Sequence, residues 1–250
     1  MIAKAEFKLG NIEGINYNMA SLFQGVIMEY ADEDFAEKEH ISSIRSYSQY
    51  IDRRKGEYYW TVSTLTDIAK ENIIDRLVSQ NRIHLKNKDI VLPIEEVKVT
   101  LTSFDELFEK NYFTDTDRYI KLNFKTPTAF KSDGKYINYP TVRHIILSLI
   151  NKHDFLSDVT YLGQGDNTES LLSKIDICSY DLKSTYFHLE GVKIPSFVGR
   201  VTLKVTGGKV LSSMVNMLCD FAEYSGVGIK SAIGMGAILK YKRERRDKLE

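Results

Sequence analysis

Cysteine is nearly absent from this chain. Two in 250 residues, Cys178 and Cys219, cannot build a disulfide framework, and neither has metal-ligand spacing. Both lie among apolar neighbours and read as reduced core residues of an intracellular protein. Excess charge of either sign is also missing, because 34 Lys plus Arg balance 34 Asp plus Glu. A nucleic-acid partner therefore requires a local basic face. No run approaches the ~18 apolar residues of a membrane span. The opening residues Met1 to Glu6 lack the apolar centre of a signal peptide. A cytoplasmic protein with no membrane partner, no metal and no cofactor is the expectation.

What the chain does have is the length for one large domain or two ordinary ones. Near its C-terminus, residues 226–236 read Gly-Val-Gly-Ile-Lys-Ser-Ala-Ile-Gly-Met-Gly, with four glycines in eleven positions. A flexible backbone beside a helix can turn N–H groups toward anionic oxygen. The spacing is neither G-x-x-x-x-G-K-[ST] nor G-x-G-x-x-G after a strand, so a nucleotide-triphosphate reading is weak. For the glycines alone, a tight helix-to-strand connection is an equally good account.

Periodicity divides the chain into two similar halves. Residues 2–9 alternate as a strand. Met19, Leu22, Phe23, Val26, Ile27 and Tyr30 recur at helical spacing, after a cap at Asn16 or Asn18. An acidic, helix-prone stretch 32–39 ends in His40. Strands at 47–51 and 58–65 flank a turn, 52–56, that carries Arg53, Arg54 and Lys55. A helix capped by Thr66 or Asp67 and extended segments 82–85 and 89–101 follow. That order, strand–helix–strand–strand–helix–strand, is ferredoxin-like. A short helix over 104–110 leads to a boundary near residue 115. The second half repeats the order: strand 118–125, a loop from Phe130, helix 141–150, a poorly patterned middle 153–173, strands 175–189 and 197–205, helix 210–224, the glycine-rich stretch and a closing strand 237–241. An α+β fold of two tandem ferredoxin-like domains, 1–115 and 116–241, is expected, with 242–250 a charged, frayed tail.

Specific segments carry a resemblance. The run Ile194-Pro195-Ser196-Phe197-Val198-Gly199-Arg200 and the stretch from Phe221 to Gly236 resemble the C-terminal signature of the CRISPR repeat-processing endoribonucleases, a branch of the RAMP superfamily. Segments 23–28, 126–131 and 182–187 resemble that family in the same order, so the likeness spans residues 1–241. Forms that accompany type III systems are the most similar. The resemblance implies two ferredoxin-like domains and metal-independent cleavage of CRISPR precursor RNA within its repeats. The 2′-hydroxyl attacks the adjacent phosphate and leaves a 2′,3′-cyclic phosphate and a 5′-hydroxyl. It also implies handover of the cut RNA to a type III effector complex and a monomer or homodimer. A non-catalytic RNA-binding subunit of a CRISPR effector complex is the alternative.

Family members place a histidine after the first helical segment, and here that position is His40. Such cleavage needs a base, an acid and donors for the phosphorane. Histidine suits either proton role. Arg45 can offer a planar fork to the non-bridging oxygens. Some relatives carry a tyrosine in the first helix. Here Met28 occupies that place and Tyr30 is the nearest phenol. RNA-contact candidates are Gly226, Gly228, Lys230, Ser231, Gly234 and Gly236, the Arg53–Arg54–Lys55 cluster, and Lys131, Lys183 and Arg200. Tyr47, Tyr50, Tyr58 and Tyr59 can stack on unpaired bases, although strand tyrosines are more often packing.

Overall fold

The computed structural model describes residues 1–10, 15–114, 116–157, 162 and 167–241. Residue 115 at the expected boundary, the charged tail 242–250, and residues 158–161 and 163–166 of the 153–173 middle lie outside the described residues. Strand β1 (Ile2–Leu9) turns Ala3, Ala5, Phe7 and Leu9 inward and leaves Lys4, Glu6 and Lys8 on the other face, as a period of two requires. Asn16 caps a 3₁₀ turn, its side chain accepting from the Asn18 amide, and helix α1 (Ala20–Tyr30) follows. Next come α2 (Glu33–Ile41), β2 (Tyr47–Arg54) and β3 (Glu57–Thr64). One continuous helical segment then runs through α3 (Asp67–Ala69), a π-helical turn (Lys70–Ile74) and α4 (Asp75–Leu77), with Thr66 as its cap. Strands β4 (Arg82–Leu85) and β5 (Ile90–Thr102) complete an antiparallel sheet of order β2-β3-β1-β5-β4. Apart from β4, which extends one edge, this is a βαββαβ unit. Phe7 and Phe23 flank the fully buried Trp60 at ring-centroid distances of 5.2 and 5.1 Å, joining sheet to helix.

After α5 (Phe104–Tyr112), the second half repeats the plan. Its elements are β6 (Tyr119–Thr128), β7 (Phe130–Ser132), β8 (Lys135–Ile137), α6 (Val142–Leu156), α7 (Asn167–Leu172), β9 (Ile175–Leu189), β10 (Val192–Val205), α8 (Lys209–Ser225) and β11 (Ile238–Lys240). The main sheet runs β11-β6-β10-β9, which matches β5-β1-β3-β2 of the first half.

Several expectations are corrected. The first hairpin turns on Lys55 and Gly56 alone, at φ 52° and 94°. Two left-handed residues match the strand twist, so Arg53 and Arg54 belong to β2 rather than to the turn. The loop expected from Phe130 is the hairpin β7–β8, which turns at Asp133–Gly134. Strand β10 starts at Val192, because Glu190–Gly191 form another left-handed pair that lets pairing begin at once. Cys178 is exposed on β9, and only Cys219 is a core residue.

The two larger hydrophobic cores trade members. Ile2, Leu65 and Leu107 pack with the second-half core, and Ala232 of the glycine-rich stretch packs with the first. Gly234 sits at φ +102°, where a side-chain Cβ would lie 2.3 Å from Cβ of Ala20 on α1. Only glycine combines that backbone with that approach. Gly234→Ala is expected to destabilise the fold by about 2 kcal/mol or more, through left-handed strain and overlap. Adding Ala20→Gly should restore part of this loss. Denaturant unfolding of the single and double variants measures both effects.

Candidate active site

Helices α1 and α2 and the start of β2 enclose a pocket of about 230 Å³ lined by Gln24, Met28, Ala36, Glu39, His40, Arg45 and Tyr47. His40 lies in the last turn of α2 and is exposed. Two side chains fix that turn. The buried Glu39 carboxylate accepts from the Ser46 amide at 3.0 Å and the Ser46 hydroxyl at 2.6 Å. The Arg45 guanidinium donates to the carbonyls of His40, at 2.8 Å, and of Ser42. A cation on the last carbonyls of a helix also suits the negative end of its dipole. Arg45 thus commits two of its five N–H donors to the backbone that carries His40. Tyr47 is 1% exposed and accepts a long 3.5 Å contact from Gln24 Nε2. Burial pushes its phenol up to about 12.

Tyr30 is not part of this pocket. Its hydroxyl donates to Gln80 Oε1 at 3.4 Å, toward α4. The phenol that lines the pocket with His40 is Tyr47, from a strand. The signal in the sequence was its place seven residues after His40, but strand tyrosines are usually packing. Among the described residues, no group of three His, Cys, Asp or Glu side chains is placed to hold a metal ion.

The glycine-rich stretch is not an open row of amides. Val227 donates to Gly236 O, Gly228 to Ser148 Oγ, Ile229 to Ala129 O, Met235 to Lys230 O, Gly236 to Pro127 O and Ala237 to Thr126 Oγ1. Ser231 is buried, whereas Lys230 is exposed in the left-handed region at φ 57°. The stretch reaches the pocket through α1. Ala20, Gln24 and Met28 follow one another at i, i+4 and i+8 on one helical face. Gly234 touches the first of these, and the pocket holds the other two.

The profile described as "CRISPR-associated endoribonuclease Cas6" matches residues 122–238. The chain is 32% identical, over 98% of its length and 99% of the relative's, to the CRISPR-associated endoribonuclease Cas6 of Streptococcus thermophilus. It is 29% identical to that of Mycobacterium tuberculosis, over 86% of this chain and 69% of the relative. A solved Cas6 product complex superposes with a TM-score of 0.80 at 20% identity, covering 96% and 99% of the two chains. The chain belongs to the Cas6 endoribonuclease family.

The remaining cations divide by their partners. In this chain Arg54 is bound by Asp52 at 2.8 Å and Glu6 at 2.5 Å and lies over the Tyr59 ring, so its charge is locally spent. Arg200 is exposed and pairs with Asp181 at 3.3 Å. Arg53 is exposed and rests over Tyr58 at 5.3 Å. Lys55, Lys131 and Lys183 are exposed on hairpins β2–β3, β7–β8 and β9–β10. Arg53 and Arg54 also line a second groove of about 640 Å³ between the halves, with Asp52, Tyr58, Asn123 and Lys125. Lys125 reaches Asp52 across it.

One buried cation escaped the sequence reading. Lys152, on α6, donates to Ser225 O at 2.9 Å, Gly226 O at 3.0 Å and Ser231 Oγ at 3.1 Å, directly beneath the glycine-rich stretch. Burial pulls it down to about 7. An unfolded lysine keeps its proton to the ordinary lysine range, so above about pH 7 the folded chain binds fewer protons than the unfolded one. Stability should therefore rise with pH between 7 and 9, by on the order of 1 kcal/mol per pH unit. Denaturant titrations across that range should show the rise in the native chain and a flatter line in Lys152→Met.

Proposed function

We propose that this Cas6-family chain cleaves CRISPR precursor RNA within its repeats, without a metal, by attack of the RNA's own 2′-hydroxyl. The observation that carries this reading is the pocket, where His40 stands on a clamped helical turn beside Arg45 and Tyr47. In the reaction a bond forms between the 2′-oxygen and phosphorus, and the bond from phosphorus to the 5′-oxygen breaks. One proton leaves the 2′-hydroxyl and one arrives on the 5′-oxygen. The products are a 2′,3′-cyclic phosphate and a 5′-hydroxyl. His40 carries the proton transfer, and Arg45 both holds the His40 turn and brings positive charge to the phosphate. The first half is the catalytic domain. The second half binds RNA through Lys230 and the surface of the glycine-rich stretch, with Arg53, Lys55, Lys131, Lys183 and Arg200 as further backbone contacts. Handover of the cut RNA to a type III effector complex, from a monomer or homodimer, completes the reading. A purely RNA-binding role leaves the pocket around His40 without a use.

Labelled repeat RNA incubated with the protein in EDTA should be cut once per repeat, and a 2′-deoxy nucleotide at the scissile position should block the cut. His40→Ala should lower the rate by at least 10²-fold, and the 3′ product end should carry the cyclic phosphate. Absence of cutting in EDTA, or a fully active His40→Ala, overturns the reading. For the second half, Lys230→Ala should weaken RNA binding and lower the slope of log K against log salt by about one. Titrations between 50 and 200 mM salt, the range over which such contacts are usually separated, read this out.

A further inference from the structure

The reaction needs a donor for the oxygen on which charge grows, besides the group that moves the protons. Arg45 commits two donors to backbone carbonyls, and Tyr30 faces Gln80 outside the pocket. Besides His40 and the three uncommitted N–H groups of Arg45, the side-chain donors in the pocket are the Tyr47 hydroxyl and the Gln24 amide. Both come from the scaffold, β2 and α1, rather than from the loop after α2. Resting on the proposed function, we infer that Tyr47 is a catalytic hydrogen-bond donor to the non-bridging oxygen of the scissile phosphate, and that Gln24 is the residue positioning it.

Three observations fit this role. The Tyr47 ring is held rigidly, at 1% exposure, so its hydroxyl has little freedom to lose when it meets the phosphorane. Burial raises the phenol to about 12, so it stays protonated wherever His40 works and acts as a donor, not as a base. Gln24 Nε2 donates to the Tyr47 oxygen, which turns the hydroxyl hydrogen away from Gln24; at 3.5 Å that contact is long enough to yield to an incoming oxygen. Met28 lines the same pocket without offering an acceptor, and the Glu39 carboxylate there is already engaged by the Ser46 amide and hydroxyl. No proton or bond changes hands at Tyr47: its hydrogen bond shortens as charge develops and relaxes when the 5′-oxygen leaves.

The test is single-turnover cleavage of the repeat RNA in EDTA by Tyr47→Phe, beside binding of the uncleavable 2′-deoxy repeat. The expected result is a 10²–10³-fold slower chemical step, with affinity for the deoxy repeat within about twofold of native and an unchanged pH profile. A fluorinated tyrosine at position 47 keeps the shape and acidifies the phenol, and the cleavage rate should shift with it. Gln24→Leu should slow the step by about tenfold with the same intact binding. A native rate in Tyr47→Phe, or a rate indifferent to fluorination, overturns the inference. If His40→Ala is dead while Tyr47→Phe is fully active, only this inference falls. If His40→Ala is itself active, the proposed function falls with it.

Discussion

The contact on which this structure depends is the meeting of Gly234 with Ala20. There the backbone of one half touches the first residue of the main helix of the other, with no room for a methyl group. Its neighbours reinforce it. Gln49 Nε2 donates to Ala20 O at 2.7 Å, and Trp60 Nε1 donates to Gln49 Oε1 at 3.0 Å, so the carbonyl of Ala20 is tied to the centre of the first sheet. Ser48, next along β2, donates to Tyr224 O at the end of α8. Ala232 enters the first core a few residues before Gly234. Two βαββαβ units that share buried residues in this way have little freedom to slide, and α1, whose later turns line the pocket, is fixed at its start.

That fixed end explains how the pocket can hold a geometry although its histidine is exposed. His40 stands at the end of a nine-residue helix, and a surface helix terminus frays unless its orphan carbonyls find donors. Arg45 supplies those donors from the following loop, and Glu39 locks the start of β2 to the same turn. The opposite wall, Gln24 and Met28, belongs to α1 and inherits its position from the Gly234 contact. Reactive groups held on packed elements meet the demand that catalysis makes on placement, whereas loops alone would not.

Both main sheets and most helices were legible in the sequence because strands such as β1 and β6 alternate with period two and the long helices carry an apolar face. Residues 2–9 and 175–189 were bounded as the structure has them. What escaped was short-range or long-range. Lys55–Gly56 and Glu190–Gly191 are two-residue turns whose left-handed pair is hidden by a first residue that rarely adopts it, and at Asp133–Gly134 the Asp-Gly turn signal went unread, so hairpins looked longer or like loops. Arg45 and Tyr47 were visible as residues near His40, but their roles depend on which way each points. Arg45 looked like a phosphate fork, yet it also caps the helix behind the histidine. Tyr30 looked like the phenol nearest to the Met28 position, yet it is Tyr47, from β2, that lines the pocket with His40. The glycine-rich stretch was found at once and misread in mechanism: its amides serve the joint between the halves more than they face outward.

Lys152 shows why that joint remains compatible with an anionic partner. Helix α8 ends at the glycine-rich stretch, so the negative end of its dipole is aimed at the surface proposed to meet RNA. Exposed there, the carbonyls of Ser225 and Gly226 would repel a phosphate. Both instead accept hydrogen bonds from a buried ammonium that also holds Ser231. The cation is placed inside, where solvent cannot screen it, and the exposed Lys230 then acts on a surface already relieved of that negative potential. Burial sets the limit of this arrangement, because the same desolvation that strengthens the field pulls Lys152 down to about 7. The ammonium thus offsets the dipole fully only on the acid side of neutrality, which ties the electrostatics of the stretch to the pH range in which a histidine can also gain and release a proton.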